Sequence, residues 1–512
     1  MNGLRMHGRL RQTVNGFEKI RKIQTMKTRP VGKPEIVIIG AGIAGLAAAK
    51  ALEDANFKNY LVLEAQGQIG GRIRSALWNE NWIEYGAQFL HGDQSKLGKL
   101  CYEKQLLSNI QCKDGEGIFV SENGLEIDPN LVKEIDDFVR DTLEECENLE
   151  NQEIHNKFEN IGRVLRSRFR CYLRQSNDKP EIRDIKEAIF DWMTRFLIID
   201  NSCYTLDDLS LRSWGNFKFV GGPEHLSFKA GYSSISKIIA DNLNASNLHL
   251  NTAVEIIEWQ QNINVTESER PITLTLSDKS QIRTKCVIIT CSLGYLKENY
   301  QNIFMPPLPC HYALGIDCLG FGLINKIFLD FGNAWWKSGT KGFQFIWNQK
   351  NINVFSEIPL ATWTKDLTGF DVLQDCQGVL LGWVGGQGAY MIETLSEEEV
   401  ATDCLNLLKY YLKVDNIPMV KKCIRTQWNA NEYVRGSYSH ISVNCDRSKV
   451  TPATLAEPIW GTVTQKNYTE IVPIIMFAGE ATHANFYSTT HGAYETGLKQ
   501  AQTFLRYHVS KF

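Results

Sequence analysis

The chain has 512 residues, 43% of them hydrophobic and 22% charged. At roughly 150 residues per domain this length suits about three units or two large ones, with enough chain to bury a sizeable core. The 55 Lys and Arg against 58 Asp and Glu give a net charge of −3, which argues against a dedicated nucleic-acid binder. No apolar run approaches the roughly 18 residues of a membrane span, and the N-terminus lacks the apolar stretch of a secretory signal. The 13 Cys are scattered, odd in number and without C-x-x-C or C-x-x-H spacing. They read as reduced thiols of an intracellular protein, with no metal site.

Residues 1–33 form a basic arm in which Glu18 is the only acid. Its composition predicts disorder; its Arg-rich, acid-poor character also leaves a mitochondrial presequence open. E-I-V-I-I at Glu35–Ile39 is a short β-branched run ending in Gly, the pattern of a buried parallel strand. A helix is predicted from Ala44 to Leu52 and a second buried strand from Tyr60 to Leu63, which together make a β-α-β unit. Between about 125 and 195 the texture becomes helical and charged, with apolar residues three and four apart from Leu131 and again over Ile182–Ile199. Strands return between 245 and 291, with Asp278-Lys279-Ser280 as a hairpin turn. Further strands are expected at 322–331 and 379–384. S-E-E-E opens an amphipathic helix over Ser396–Leu412, with Ser396 as its cap. The textures alternate along the chain, which predicts two interleaved domains.

Gly40-Ala41-Gly42-Ile43-Ala44-Gly45 is G-x-G-x-x-G, set between the first strand and the first helix. Gly40 makes the tight turn, Gly42 lets a pyrophosphate approach the backbone, and Gly45 allows close helix–strand packing. The helix start offers free N–H groups and a partial positive charge to phosphate. Glu64 ends the next strand, near the expected spacing of ~20 residues for an acid that accepts from a ribose diol. Gly70-Gly71-Arg72-Ile73 follows and supplies a guanidinium for the same pyrophosphate.

Further blocks are E-Y-G-A-Q-F-L-H-G (Glu84–Gly92), S-L-G-Y-L-K (Ser292–Lys297), N-K-I-F-L-D-F (Asn325–Phe331), R-G-S-Y-S (Arg435–Ser439) and F-A-G-E-A-T-H-A-N-F-Y-S-T-T-H-G-A (Phe477–Ala493). Together with the paired glycine motifs they resemble the flavin amine oxidase family, in its animal polyamine oxidase branch, over about residues 34–508. The resemblance implies an α/β fold: a Rossmann-like FAD-binding domain of the glutathione-reductase type, interleaved with an α+β substrate domain with a mixed sheet. The expected boundaries are 34–100, 221–300 and 440–512 for the first, and 101–220 and 301–439 for the second. It implies FAD contacts at Gly40, Gly42, Ile43, Ala44, Gly45, Glu64, Gly71, Arg72, Gln88, Phe89, Val254, Glu480, Thr489 and Thr490. Monoamine oxidases of the family tether the flavin through a Cys in the C-terminal block. Asn485-Phe486-Tyr487-Ser488 holds none, so the FAD is expected to be non-covalent.

The implied reaction oxidises a polyamine by hydride transfer to the flavin, giving an aldehyde, a shorter amine and, with O₂, H₂O₂. Lys326 corresponds to the family lysine that binds a water beside the flavin; burying a Lys in an apolar strand is costly without such a job. His91 corresponds to the active-site histidine of the polyamine branch, with the role of bonding an amine nitrogen and setting its protonation. The resemblance assigns Tyr438, Asp200 and Ser488 to the substrate, with Tyr438 acting through cation–π attraction and Asp200 holding a distal ammonium. Each has a plainer reading: packed strand Tyr, helix-end Asp, loop Ser. Trp347 fits a core position equally well. Gln88-Phe89-Leu90 departs from the family's small polar residue, Trp and Ile, so the preferred polyamine is left open.

Alternative readings are a flavin-dependent histone lysine demethylase and a non-catalytic flavin-binding regulator. Against the demethylase, only 33 residues precede the fold and no long heptad run appears. The expected partners are a small polyamine and O₂, with no nucleic acid and no membrane; a monomer is the default. The expected compartment is the cytoplasm. The terminal Ser510-Lys511-Phe512, close to S-K-L, leaves a peroxisomal address open.

Overall fold

The computed structural model describes residues 33–108, 113–148, 152–157, 159–264, 270–348, 360–465 and 468–509. The basic arm (except Lys33) and the C-terminal tripeptide lie outside the described residues.

The apolar run at the first glycine motif forms the strand Ile36–Ile39, buried at all four positions. It pairs in parallel with Tyr60–Leu63 on one side and Cys286–Ile289 on the other, so that Val37 lies between Leu61 and Val287. A strand covered on both faces must be apolar throughout, which is why it reads as a continuous run. The full seven-stranded sheet runs Leu248–His249, Tyr60–Leu63, Ile36–Ile39, Cys286–Ile289, Tyr468–Phe477, Ile459–Gln465, Asn262–Asn264. The helix Ile43–Asp54 lies on this sheet against the C-terminal helix Thr490–Phe504. The two helices touch backbone to backbone: a Cβ on Gly497 would stand 2.0 Å from the Ala44 carbonyl oxygen. A four-stranded sheet beside it contains the predicted hairpin, with Lys279 in the left-handed region at φ 67°.

A second large sheet has six strands in the order Lys422–Arg425, Asn325–Asp330, Val379–Val384, Leu367–Val372, Gly342–Ile346, Ile118–Ser121. Its pairings are antiparallel except that of Gly342–Ile346 with Ile118–Ser121. The charged helical stretch folds as Pro129–Glu147, Ile161–Gln175 and Pro180–Asp200, whose apolar stripes form their own core with Ile346 of this sheet. The helix Glu397–Leu412 starts as predicted, with a reciprocal capping box between Ser396 and Glu399, a feature worth about 1 kcal/mol. The sheets draw their strands from alternating stretches of sequence. Among the described residues no helix is long and apolar enough to cross a membrane.

Candidate active site

A cavity of about 630 Å³ opens at the carboxyl ends of the parallel strands, at Ile39, Leu63 and Ile289. Ligands of open α/β sheets bind at this edge. The opposite wall comes from the six-stranded sheet through Lys326, Thr368 and Trp383.

At the strand end, Gly40 takes φ 107° and Gly42 begins the helix without any side-chain cap. Its first N–H groups therefore face the cavity unclaimed by a capping side chain. A Cβ on Gly42 would meet nothing within 4 Å, whereas one on Gly45 would stand 2.0 Å from the Gly40 carbonyl oxygen. One glycine keeps a cradle open; the other lets the helix seat against the turn. Glu64 is buried, and its carboxylate accepts from Ala41 N at 2.7 Å and Gln66 N at 2.8 Å. Burial raises its pKa and these two bonds oppose the rise. Val254 lines the cavity near this end.

Arg72 donates to Glu480 Oε1 at 2.8 Å and to the Ser437 carbonyl at 2.7 Å. Glu480 Oε2 in turn accepts from the backbone N–H groups of Ser439, at 3.3 Å, and Ser488, at 3.0 Å. This part-buried ion pair joins the Gly70-Gly71 turn to the C-terminal block, 408 residues apart. Thr489 caps the C-terminal helix through Gly492 N, and Thr490 bonds the Tyr232 hydroxyl. Ser488 has φ 67°, and its hydroxyl donates to the Ser439 carbonyl. The hydroxyl read as a substrate contact is thus already committed to a protein partner.

Lys326 is 3% exposed, second in the strand Asn325–Asp330. Its ammonium donates to the carbonyls of Glu84 and Gly86, both at 2.7 Å, and to Gln88 Oε1 at 2.6 Å, and lies 4.5 Å from the Trp383 ring centre. Burial pushes it down to about 7, with Glu84 and Asp114 opposing. His91 is lowered by burial and by His225, while Glu224 opposes. Its ring stands 5.6 Å from that of His225, which in turn meets Phe89 at 4.9 Å. A neutral imidazole here can accept from, or donate to, an amine.

Asp200 ends the helix Pro180–Asp200 and lines the cavity, with its side chain open to solvent on one side and protein around it at longer range. Burial, then Glu224, pushes it up to about 6. The Tyr438 hydroxyl donates to the Ile199 carbonyl at 2.6 Å, which holds that helix end and leaves the ring as cavity wall. Sequence reasoning missed Asp114. It sits in K-D-G-E-G, which reads as a surface turn, yet it lines the same cavity, pushed up to about 7 by burial and by Asp200. Glu224, His225 and Trp383 were missed too: two lie on a loop, and the third lies in V-L-L-G-W-V, which reads as core. Trp347 packs in the core against Tyr411, with ring centres 5.1 Å apart.

Every site residue read from the sequence lines this cavity except Gly45, which packs beneath the turn. An open glycine cradle, uncapped helix N–H groups, an acid at the second strand and a part-buried Arg beside them fit an adenine dinucleotide. The fold and this donor set define a dinucleotide-dependent oxidoreductase. The family model for flavin containing amine oxidoreductase matches residues 43–505. The chain belongs to that family, which makes it an FAD-dependent amine oxidase. It is 28% identical over 497 residues to the human peroxisomal N(1)-acetyl-spermine/spermidine oxidase, covering 93% of this chain and 95% of that one. It is 27% identical to probable polyamine oxidase 5 of Arabidopsis thaliana, over 94% of this chain and 99% of the relative. Among solved structures, cyclohexylamine oxidase from Brevibacterium oxydans superposes with TM-score 0.66 at 19% identity, over 93% of this chain and 99% of that one.

Proposed function

We propose that the chain is a polyamine oxidase. The observation that carries this reading is the set of carboxylates, Asp200, Asp114 and Glu224, in the same cavity as Lys326 and His91. An alkylamine with one nitrogen needs none of them; a chain with several ammonium groups needs carboxylates for those that do not react. When bound, FAD accepts the hydride from the carbon beside the reacting nitrogen, and O₂ reoxidises it to give H₂O₂. Water converts the resulting iminium to an aldehyde and a shorter amine.

The remaining roles belong to this chain's residues. Gly42 and the helix start hold the pyrophosphate with Arg72; Glu64 faces the ribose. His91, neutral at physiological pH, bonds the reacting nitrogen and favours its unprotonated form, whose lone pair supports the developing iminium. Tyr438 flanks the chain and Asp200 receives a distal ammonium. Lys326 holds a water for iminium hydrolysis or for flavin reoxidation. The FAD is non-covalent: Asn485-Phe486-Tyr487-Ser488 offers no Cys to the flavin, and Cys291, which lines the cavity, sits beside Glu64 at the ribose end.

Peroxide release by the purified yellow protein tests the reading with spermine, N-acetylspermine, spermidine, a monoamine and a methyl-lysine peptide. Turnover of a polyamine in preference to the monoamine and the peptide is expected. No peroxide from any amine, with FAD bound, would sink it. The cytoplasm is the default compartment; the likeness of Ser510-Lys511-Phe512 to S-K-L and the peroxisomal name of the human relative support the peroxisome instead. An N-terminal fluorescent fusion, with and without the last three residues, separates the two.

A further inference from the structure

Lys326 has three ammonium N–H groups and three protein acceptors: the carbonyls of Glu84 and Gly86 and the side-chain oxygen of Gln88. All come from one short stretch, which leaves the strand Asn81–Glu84 through a bend at Tyr85–Gly86 and so wraps residues 84, 86 and 88 around the ammonium. The indole of Trp383 covers the ammonium at 4.5 Å. Two of the three acceptors are backbone and cannot be varied or swung away. Gln88 alone is a side chain, and it lines the same cavity as His91.

We propose that Gln88 is the positioning residue for Lys326: its amide oxygen holds the third ammonium N–H and, by leaving or staying, decides whether that N–H is available to the cavity. This inference rests on Lys326 acting in the oxidase reaction. A saturated ammonium has no donor left for a water or an amine. Rotating the Gln88 side chain about its own bonds frees one donor without moving the backbone. The same bond also stabilises the charged form of the lysine. The charged or titratable groups that bear on Lys326 are Glu84, under the same segment, and Asp114, across the cavity; Asp114 is in turn biased by Asp200, and Asp371 beyond it by Asp114. Gln88 is the neutral partner among these acids, so its replacement has a defined sign.

The test compares Gln88→Leu, which keeps bulk and removes the acceptor, with Gln88→Glu, which adds an anion. In each holoenzyme two pH profiles are measured: the rate of flavin reduction by amine without O₂, and the flavin absorbance with no amine present. A hydrogen bond to a charged group is worth about 1.5–3 kcal/mol, or about one to two pH units. The transition attributed to Lys326 is therefore expected to move down by about one to two units in Gln88→Leu and up in Gln88→Glu. The amine KM should change less than kcat. In a Lys326→Met background both Gln88 substitutions should lose their effect on either profile. A shift in the amine-free absorbance with unchanged turnover supports the pairing and sinks the catalytic role of Lys326. Coincident profiles for the parent and Gln88→Leu, or equal shifts with and without Lys326, overturn the inference.

Discussion

Asp200→Asn tests the polyamine reading at one atom, because it keeps the shape of the side chain and removes its charge. The Tyr438 bond to the Ile199 carbonyl fixes the helix end that carries Asp200, so its backbone stays beside the cavity. A hydrogen bond between two charged groups is worth about 1.5–3 kcal/mol, and the open side of Asp200 places it at the lower end through solvent screening. At about 1.4 kcal/mol per tenfold, kcat/KM for spermine should fall by about 10- to 30-fold. A monoamine too short to reach Asp200 should lose less than about twofold. The substitution also removes a like charge that raises Asp114, so the acidic limb of the spermine profile should move to lower pH. Stability changes in a defined direction. Folded Asp200 titrates near 6 against 3.8 for a free Asp, so the folded state holds more protons within that window. Its favourable contribution is present at low pH and is lost as pH rises through about 6. Asp200→Asn should therefore stabilise the protein by about 1 kcal/mol at pH 8 after screening, with no gain near pH 4. Peroxide kinetics and urea unfolding at both pH values read these outcomes. Equal losses for spermine and the monoamine, or no loss for either, would refute the assignment.

Lys326→Met should retain FAD, judged by flavin absorbance per chain, while slowing turnover by about 10² or more; unchanged kinetics would remove the role given to Lys326. Gly42→Ala fills the open cradle without a clash and should lose FAD while the apoprotein keeps its melting temperature. Gly45→Ala drives a methyl into the Gly40 carbonyl and should lower the melting temperature itself. Arg72→Ala leaves Glu480 buried without its cation, at a cost of about 3 kcal/mol; the melting temperature and FAD content should fall together.

The sequence alone determined the local parts of this protein. A short β-branched run ending in Gly reads as a strand covered on both faces, and Gly40, Gly42 and Gly45 have distinct jobs that their spacing already implies. The capping box at Ser396 and the hairpin at Asp278–Ser280 were legible for the same reason, since their physics is complete within a few residues. Tertiary structure decided what depends on residues far apart in the chain. It brought Asp114, out of an unremarkable turn, into the cavity of Lys326; it spent the hydroxyls of Ser488 and Tyr438 on backbone carbonyls; and it made Gln88 the third partner of a buried ammonium. No sequence period encodes such meetings. They are set by which strand ends converge on the cavity, and there burial converts an ordinary Asp or Lys into a group poised near neutral pH.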